Sequence, residues 1–158
     1  MPGYCTFFGH RNTSYDVKPL LRQAVEQCIK QRNLRSFPNG GYGQFDHMAA
    51  QVVRELKEKY DDLELFLVVA YLPVHTTHEG YDGILYPEGL ELVPQRYAIS
   101  HRNRHMIDLS DHCIFYVGRS GGGAAQALAY AKKRKDPACF VNLFKPVSSE
   151  QIPPYDSI

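Results

Sequence analysis

The chain has 158 residues, of which 44% are hydrophobic and 22% charged, and its formal net charge is +1. These values are typical of one globular domain that is large enough to bury a core. The near-neutral charge argues against a protein whose main role is to coat nucleic acid or an anionic membrane. The longest apolar run, residues 63–72, is too short to span a bilayer.

Four cysteines, Cys5, Cys28, Cys113 and Cys139, are scattered along the chain without a Cys-x-x-Cys pair. This distribution favours reduced, buried thiols and a cytoplasmic location. The first residues lead directly into a strand-like segment, so we predict no signal peptide.

The first half of the chain alternates patterns of strand and helix. Apolar and branched runs predict strands, and apolar residues at helical spacing predict amphipathic helices. The predicted elements are a strand at 4–8, a helix at 17–32, a weak strand at 34–37, a helix at 44–60 and a strand at 63–71.

The second half continues this alternation after a long polar connection at 75–94. A connection of this length in a compact domain is usually functional, and we interpret it as a lid or an edge of a pocket. Residues 84–86 within it could form a short strand or a turn. The remaining predicted elements are a helix at 95–108, a strand at 111–117, a helix at 124–135 and a strand at 139–143.

Strands that alternate with helices imply an α/β fold with right-handed crossovers. We predict a single Rossmann-like three-layer sandwich with a mainly parallel sheet over residues 1–145. Residues 146–158 are rich in proline and serine and have little to bury, so we predict a C-terminal tail.

Two glycine-rich turns lie where a predicted strand passes into a helix. Gly121, Gly122 and Gly123 precede an alanine-rich helix, and Gly41 and Gly43 precede the helix at 44–60. Glycines at such a turn let a ligand approach the backbone, and the N-terminus of the following helix favours a phosphate. An ordinary flexible loop is the alternative for each turn alone, since neither has the G-x-G-x-x-G spacing.

The turn after the first strand carries His10 and Arg11, directly after Gly9. In a parallel sheet this turn lies at the carboxyl end of a strand, where ligands of open α/β sheets bind. The alternative is that His10 only closes a turn, with Ser14 or Asp16 capping the next helix.

Three stretches carry a resemblance to a known family: CTFFGHR, GGYGQFDHMAAQVVRELK, and YDGILYPEGLELVPQRYAISHRNRHMIDLSD continuing through GGGAAQALAYAKK to VNL. The family is the SLOG superfamily, a Rossmann-like group that includes the LOG phosphoribohydrolases and the Smf/DprA single-strand-binding proteins. More narrowly, the chain resembles small stand-alone bacterial SLOG proteins. The matching stretches cover most of residues 4–143.

Part of the LOG motif is present. Arg102-Asn103, Met106 and Ser110-Asp111 match its Arg-Lys-x-x-Met and Ser-Asp elements at the family's spacing. The resemblance implies that Arg102 is the counterpart of an active-site arginine, which could pair with a phosphate through two hydrogen bonds.

The glycine loop departs from the LOG pattern, because residues 121–128 contain neither its threonine nor its glutamates. Cleavage of an N-glycosidic bond requires a group such as a carboxylate to activate water and stabilise the transition state. Asp46, Glu88 or Glu91 could supply one from other loops. The resemblance therefore supports nucleotide binding better than it supports hydrolysis.

We predict a protein that binds a nucleotide or a nucleotide-derived small molecule, as a sensor or a sequestering module, without a cofactor. The alternatives are a LOG-like phosphoribohydrolase and, more weakly, a DprA-like single-stranded nucleic acid binder. Tyr81 or Tyr86 could stack on a base, and the resemblance makes a homodimer plausible. The predicted ligand-binding residues are Gly9, His10, Arg11, Gly41, Gly43, Arg102, Asn103, Gly121, Gly122 and Gly123.

Two further patterns receive a simpler interpretation. His101, His105 and Asp108 share a predicted helix, and His75 and His78 lie in the long connection, but flanking arginines oppose a dication, so we predict no metal site. The basic run at 132–135 is placed at a helix C-terminus, where cations complement the helix dipole, which argues against nucleic acid as its partner.

Overall fold

The computed structural model describes residues 3–74 and 78–145; the predicted tail at 146–158 and His75 lie outside the described residues. The strands are Gly3–Gly9 (β1), Leu34–Asn39 (β2), Glu64–Val68 (β3), Gly83–Leu85 (β4), His112–Tyr116 (β5) and Phe140–Asn142 (β6). The helices are Lys18–Arg32 (α1), Gly43–Leu56 (α2), Ala98–Leu109 (α3) and Gly123–Arg134 (α4). No helix within residues 3–74 and 78–145 is long and apolar enough to cross a membrane.

The six strands form one sheet in the order β4-β3-β2-β1-β5-β6, and every neighbouring pair is parallel. This arrangement confirms the predicted α/β Rossmann-like fold. Successive strands move outward from β1 to β4, and the chain then returns to the other side of β1 with β5. The strand order therefore reverses between β1 and β5, which is the position where open α/β sheets bind ligands at their carboxyl edge.

Strand β1 lies at the centre of three layers, because its side chains point alternately to the two faces of the sheet. Phe7 packs in the cluster that contains α1 and α2, and its ring stacks on that of Phe37 at 6.1 Å. Phe8 faces the α3 and α4 side, where its ring stacks on Phe115 at 5.4 Å. Burial on both faces explains why β1 is a continuous apolar run.

Three predicted elements have other bounds in the structure, and the open alternative at 84–86 is decided. The strand predicted at 63–71 ends at Val68, and the helix predicted at 95–108 begins at Ala98, after a 3-10 turn at Gln95–Tyr97. Helix α2 ends at Leu56 rather than at residue 60, because Leu56 is the last residue of its buried stripe. The uncertain segment at 84–86 forms the edge strand β4, which pairs with β3 from Phe66↔Gly83 to Val68↔Leu85.

Strand β2 extends through Pro38, which has no N–H to donate to a neighbouring strand. The register between β1 and β2 contains Gly3↔Leu34 and Tyr4↔Ser36, and it shifts between these two pairs. Further along, the Thr6 hydroxyl donates a 2.8 Å hydrogen bond to the Pro38 carbonyl. A side chain therefore adds a hydrogen bond between the two strands beyond the paired residues.

Replacement of Phe7 by alanine is expected to destabilise the fold by about 3–5 kcal/mol, since it removes a buried ring from the central strand. Urea denaturation would measure this change. The control is Leu92→Ala, because Leu92 is 84% exposed and its loss should change stability by no more than about 0.5 kcal/mol. Similar stabilities for the two variants would contradict the central position of β1.

Candidate functional site

A cavity of about 250 Å³ lies at the reversal of strand order, where the carboxyl ends of β1 and β5 meet α3 and α4. Three of the predicted binding residues, Gly41, Gly43 and Gly121, are not among the described residues that line it. The other seven do line the cavity: Gly9, His10, Arg11, Arg102, Asn103, Gly122 and Gly123.

The loop before α4 is an open cradle on one side of this cavity. A Cβ atom built on Gly121, Gly122 or Gly123 would meet no atom within 4 Å, so packing does not require glycine there. Gly122 has a φ of +97°, which favours glycine for conformational reasons. No side chain caps the N-terminus of α4. Gly123 and Ala124, which carry the first N–H groups of α4, line the cavity, as residues at helix N-termini do in anion sites.

The loop before α2 has a different role. A Cβ on Gly43 would lie 2.6 Å from the Arg11 Cα, and one on Gly41 would lie 2.6 Å from a Leu67 methyl, and both glycines have positive φ. The Gln44 N–H already donates to the Arg11 carbonyl at 2.8 Å. These glycines permit close packing of the cavity wall, and only the loop before α4 is open to a phosphate.

Arg102 is buried at the base of the cavity, with 3% of its surface exposed. Its Nη1 donates to the carbonyls of Gly40 at 3.1 Å and Val68 at 3.2 Å. Its Nε and Nη2 donate to the Asn103 side-chain oxygen at 3.1 and 3.0 Å. Four bonds leave one of the five guanidinium N–H groups for a ligand. Arg102 is therefore a support of the cavity as well as a part of its lining.

Asp46 is the one carboxylate among the described residues that line the cavity, and it is 8% exposed. One oxygen accepts a 2.9 Å hydrogen bond from the Tyr42 N–H. Burial raises the pKa of Asp46 to about 7, although this hydrogen bond and the charge of Arg102 act in the opposite direction. A buried carboxyl with a pKa near neutrality can bind a ligand hydroxyl or exchange a proton with it.

The other two candidate carboxylates, Glu88 and Glu91, line other surface cavities. The sequence did contain a signal for Asp46, since it lies on the apolar stripe of α2 between buried residues such as Phe45 and Ala49. An acid at such a position is uncommon unless it is paired or functional.

His10 connects the two loops that meet at the cavity. Its Nε2 accepts a 2.9 Å hydrogen bond from the Gly118 N–H, so the neutral ring carries its proton on Nδ1. Partial burial, with the nearby charge of Arg119, lowers the pKa of His10 below its usual value. The imidazole is therefore neutral at pH 7 and offers one N–H donor. Arg119 also lines the cavity and was not among the predicted residues.

Tyr42 also lines the cavity, and the sequence interpretation missed it. The Arg102 guanidinium lies over the Tyr42 ring, 5.3 Å from its centroid. Tyr81 instead packs against Arg54, and Tyr86 lines a separate groove. The long connection therefore contributes no described residue to the lining of this cavity.

No group of three or more potential metal ligands occurs among residues 3–74 and 78–145. Of the basic run at 132–135, Lys135 donates to the Ser110 carbonyl at 2.6 Å, and Arg134 lies 3.7 Å from Asp108.

Replacement of Asp46 by asparagine is expected to remove a pH-dependent part of the stability. Because burial raises the pKa of Asp46 from 3.8 to about 7, the folded protein holds a proton that the unfolded chain releases between these values. Through this group the free energy of unfolding should fall by about 2–3 kcal/mol between about pH 5 and pH 8. The amide of the variant does not titrate. The free energy of unfolding of Asp46→Asn should therefore rise relative to that of the wild type as pH rises.

Urea denaturation of both proteins across this pH range would measure the difference. Asp61→Asn is a matched control, because Asp61 is an exposed acid outside the cavity. A stability difference between wild type and Asp46→Asn that stays constant with pH would contradict a buried, protonated Asp46.

No model of a known protein family matches the chain, and no curated protein matches it in sequence. Solved structures do match it. DNA processing protein A from Helicobacter pylori, whose structure addresses its single-stranded DNA binding mode, has a TM-score of 0.60 at 18% identity over 84% of this chain. DNA processing protein A (DprA) from Streptococcus pneumoniae has a TM-score of 0.61 at 13% identity over 85% of this chain.

A third structure, the structural genomics target TM1055, has a TM-score of 0.56 at 11% identity over 82% of this chain. The chain spans 61% of the Helicobacter protein, 49% of the Streptococcus protein and 68% of TM1055. At these identities the likeness concerns the fold alone. Together with the parallel six-stranded sheet, it shows that the chain has a Rossmann-like α/β fold.

Proposed function

We propose that this protein binds a nucleotide or a nucleotide-derived small molecule in the cavity between β1 and β5, with a phosphate at the N-terminus of α4. The observation that carries the proposal is the open cradle at Gly122 and Gly123, which no side chain of the described residues fills and which lines the same cavity as the buried Arg102 and Asp46. A cradle of backbone N–H groups opposite buried polar side chains is an arrangement that suits a small anionic ligand.

The charges at the cavity favour an anion at its rim and a polar group at its base. Arg11 and Arg119 are exposed at the mouth, on the loops that follow β1 and β5. Together with the N-terminus of α4 they provide positive charge around the proposed phosphate position. The remaining Arg102 N–H and the His10 Nδ1–H supply further donors.

The base of the cavity suits a sugar. The carboxyl of Asp46 can accept a hydrogen bond from a hydroxyl group, as acidic residues of dinucleotide-binding folds do with a ribose. The ring of Tyr42 is 37% exposed at the same cavity and offers an aromatic surface to a base. Phosphate, sugar and base thus each have a complementary group within one cavity.

Addition of a nucleoside monophosphate that binds here is expected to stabilise the fold. At about one hundred times its dissociation constant, a ligand adds roughly 2.7 kcal/mol, which corresponds to a rise of roughly 5–10 °C in melting temperature for a domain of this size. Thermal unfolding against a panel of nucleoside monophosphates would measure this rise, and isothermal titration would give the affinities.

Two glycine variants separate the cradle from the rest of the loop. Gly123→Ala adds a methyl group at the cavity without a clash with the described residues, so its stability should be equal to or up to about 1 kcal/mol above that of the wild type, while its nucleotide affinity falls by about tenfold or more. Gly121→Ala is the matched control, since Gly121 is equally open but does not line the cavity. Equal affinities of the two variants would contradict the proposed phosphate position.

Hydrolysis of a nucleotide is a second candidate function, and the position of Asp46 favours it. The glycine loop lacks the glutamates of the LOG pattern, but Asp46 brings a carboxyl with a pKa of about 7 into the same cavity. Such a group could take a proton from a water that attacks the anomeric carbon of a ribosyl group.

If Asp46 performs this step, Asp46→Asn should reduce release of free base by about a hundredfold or more while nucleotide binding persists. Chromatography of nucleoside monophosphates incubated with each protein would measure the release. Wild-type protein that binds nucleotides but releases no base would leave binding as the function.

Three other predictions remain for experiment. Single-stranded nucleic acid binding, which the Helicobacter structure addresses for its own protein, stays the weaker alternative and would show a steep loss of affinity with salt. The homodimer rests on the resemblance. The cytoplasmic location rests on the four cysteines, all of which are free thiols in the structure.

A further inference from the structure

The cavity at Gly123 continues into a second depression of the surface. This depression, the α3–α4 groove, has a volume of about 240 Å³ and is bordered by Ser100, Asn103 and Arg104 of α3 and by Gln126, Tyr130 and Lys133 of α4. Asn103 and Gly123 line both spaces, so the groove begins where the proposed phosphate position lies.

The cavity and the groove together have the volume of a usual small-molecule site. Small-molecule sites usually have volumes of roughly 300–1,000 Å³. The cavity and the groove, at about 250 and 240 Å³, each fall below that range, whereas together they fall within it. From Gly123 to Lys133 the groove follows α4 for about 15 Å, given the helical rise of 1.5 Å per residue.

The charge of the groove is positive. Arg104 and Lys133 line it, and no carboxylate does so among the described residues. The Arg104 guanidinium lies over the Tyr130 ring, 5.4 Å from the ring centroid. This contact orients the guanidinium group. Asp108 lines the neighbouring depression instead, and its oxygens accept hydrogen bonds from the Tyr130 hydroxyl at 2.9 and 3.0 Å.

We infer that the α3–α4 groove binds the second half of an extended ligand, a nucleotide whose 5′-phosphate carries another sugar-bearing unit. This inference rests on the proposed function, because the phosphate at Gly123 sits where the two spaces join. The nucleoside lies in the cavity, and any group attached to the phosphate continues into the groove. There, Arg104 and Lys133 face the linking phosphates, while the Ser100 hydroxyl and the Gln126 amide offer hydrogen bonds to the second sugar or base.

The experiment compares three probes by isothermal titration: AMP, the phosphodiester-linked dinucleotide ApA, and the pyrophosphate-linked ADP-ribose. We expect at least one of the extended probes to bind about tenfold more tightly than AMP. The probe that gains affinity identifies which linkage the site accepts.

Variants of the groove test where this gain arises. Arg104→Gln and Lys133→Gln should each weaken the extended probe by about fivefold or more and leave AMP within about twofold of wild type. Lys132→Gln is the matched control, because Lys132 is an exposed neighbour on the same helix that does not line the groove. All three residues are exposed, so melting temperatures should not change.

The outcomes separate the two proposals. If AMP binds but neither extended probe gains affinity, the inference is overturned and the proposed function stands. A loss from Lys132→Gln equal to that from Lys133→Gln would also overturn it, since general charge would then explain the gain. If a longer single-stranded oligonucleotide binds more tightly than either probe, with a steep salt dependence, the groove belongs to nucleic acid instead. If no probe binds, both proposals fail.

Discussion

The site depends on the burial of one guanidinium group. Arg102 reaches from α3 under the sheet edge and binds the carbonyls of Gly40 and Val68, so a single side chain holds the loop before α2 and the end of β3 in place. Burial of a charged group without water is costly unless it is hydrogen-bonded and its charge is balanced. The carbonyls of Gly40 and Val68 and the side-chain oxygen of Asn103 provide the hydrogen bonds that compensate for this burial. The polar base of the cavity is therefore part of the framework, and a ligand meets groups that are already oriented.

The position of the site follows from the order of the strands. Because β1 is flanked by β2 on one side and β5 on the other, the loops after β1 and β5 diverge to opposite faces and leave a crevice between them. The bond between His10 and Gly118 joins these loops across the crevice. On the other side of β1, the Thr6–Pro38 hydrogen bond adds a side-chain contact to β2 beyond the paired residues. Toward the carboxyl edge, β1 therefore pairs with β5 through its backbone and contacts β2 through a side chain.

Much of the fold could be predicted from the sequence, because apolar periodicity reports directly on which faces of each element are buried. The site could be predicted in part, since strand ends and a glycine loop before a helix identify a sheet edge without knowledge of tertiary contacts. The sequence could not show that the two glycine loops, before α2 and before α4, have different roles. The difference between them arises from distant neighbours: Arg11 and Leu67 pack against the first, and nothing packs against the second. The role of Tyr42 likewise depends on Arg102, sixty positions further along the chain.

The open cradle before α4 has a consequence for how this protein can change over evolutionary time. Most residues near the cavity serve the fold and the site together, so Arg102 or Gly43 cannot vary without disturbing packing. A Cβ atom on Gly121 or Gly123 would meet no atom of residues 3–74 and 78–145 within 4 Å, and neither residue has a φ that demands glycine. Packing within this part of the chain therefore does not require glycine at these two positions. If the proposed function holds, the constraint that keeps Gly123 a glycine in related chains comes from the ligand, and drift at this position would record a change of ligand rather than a change of fold.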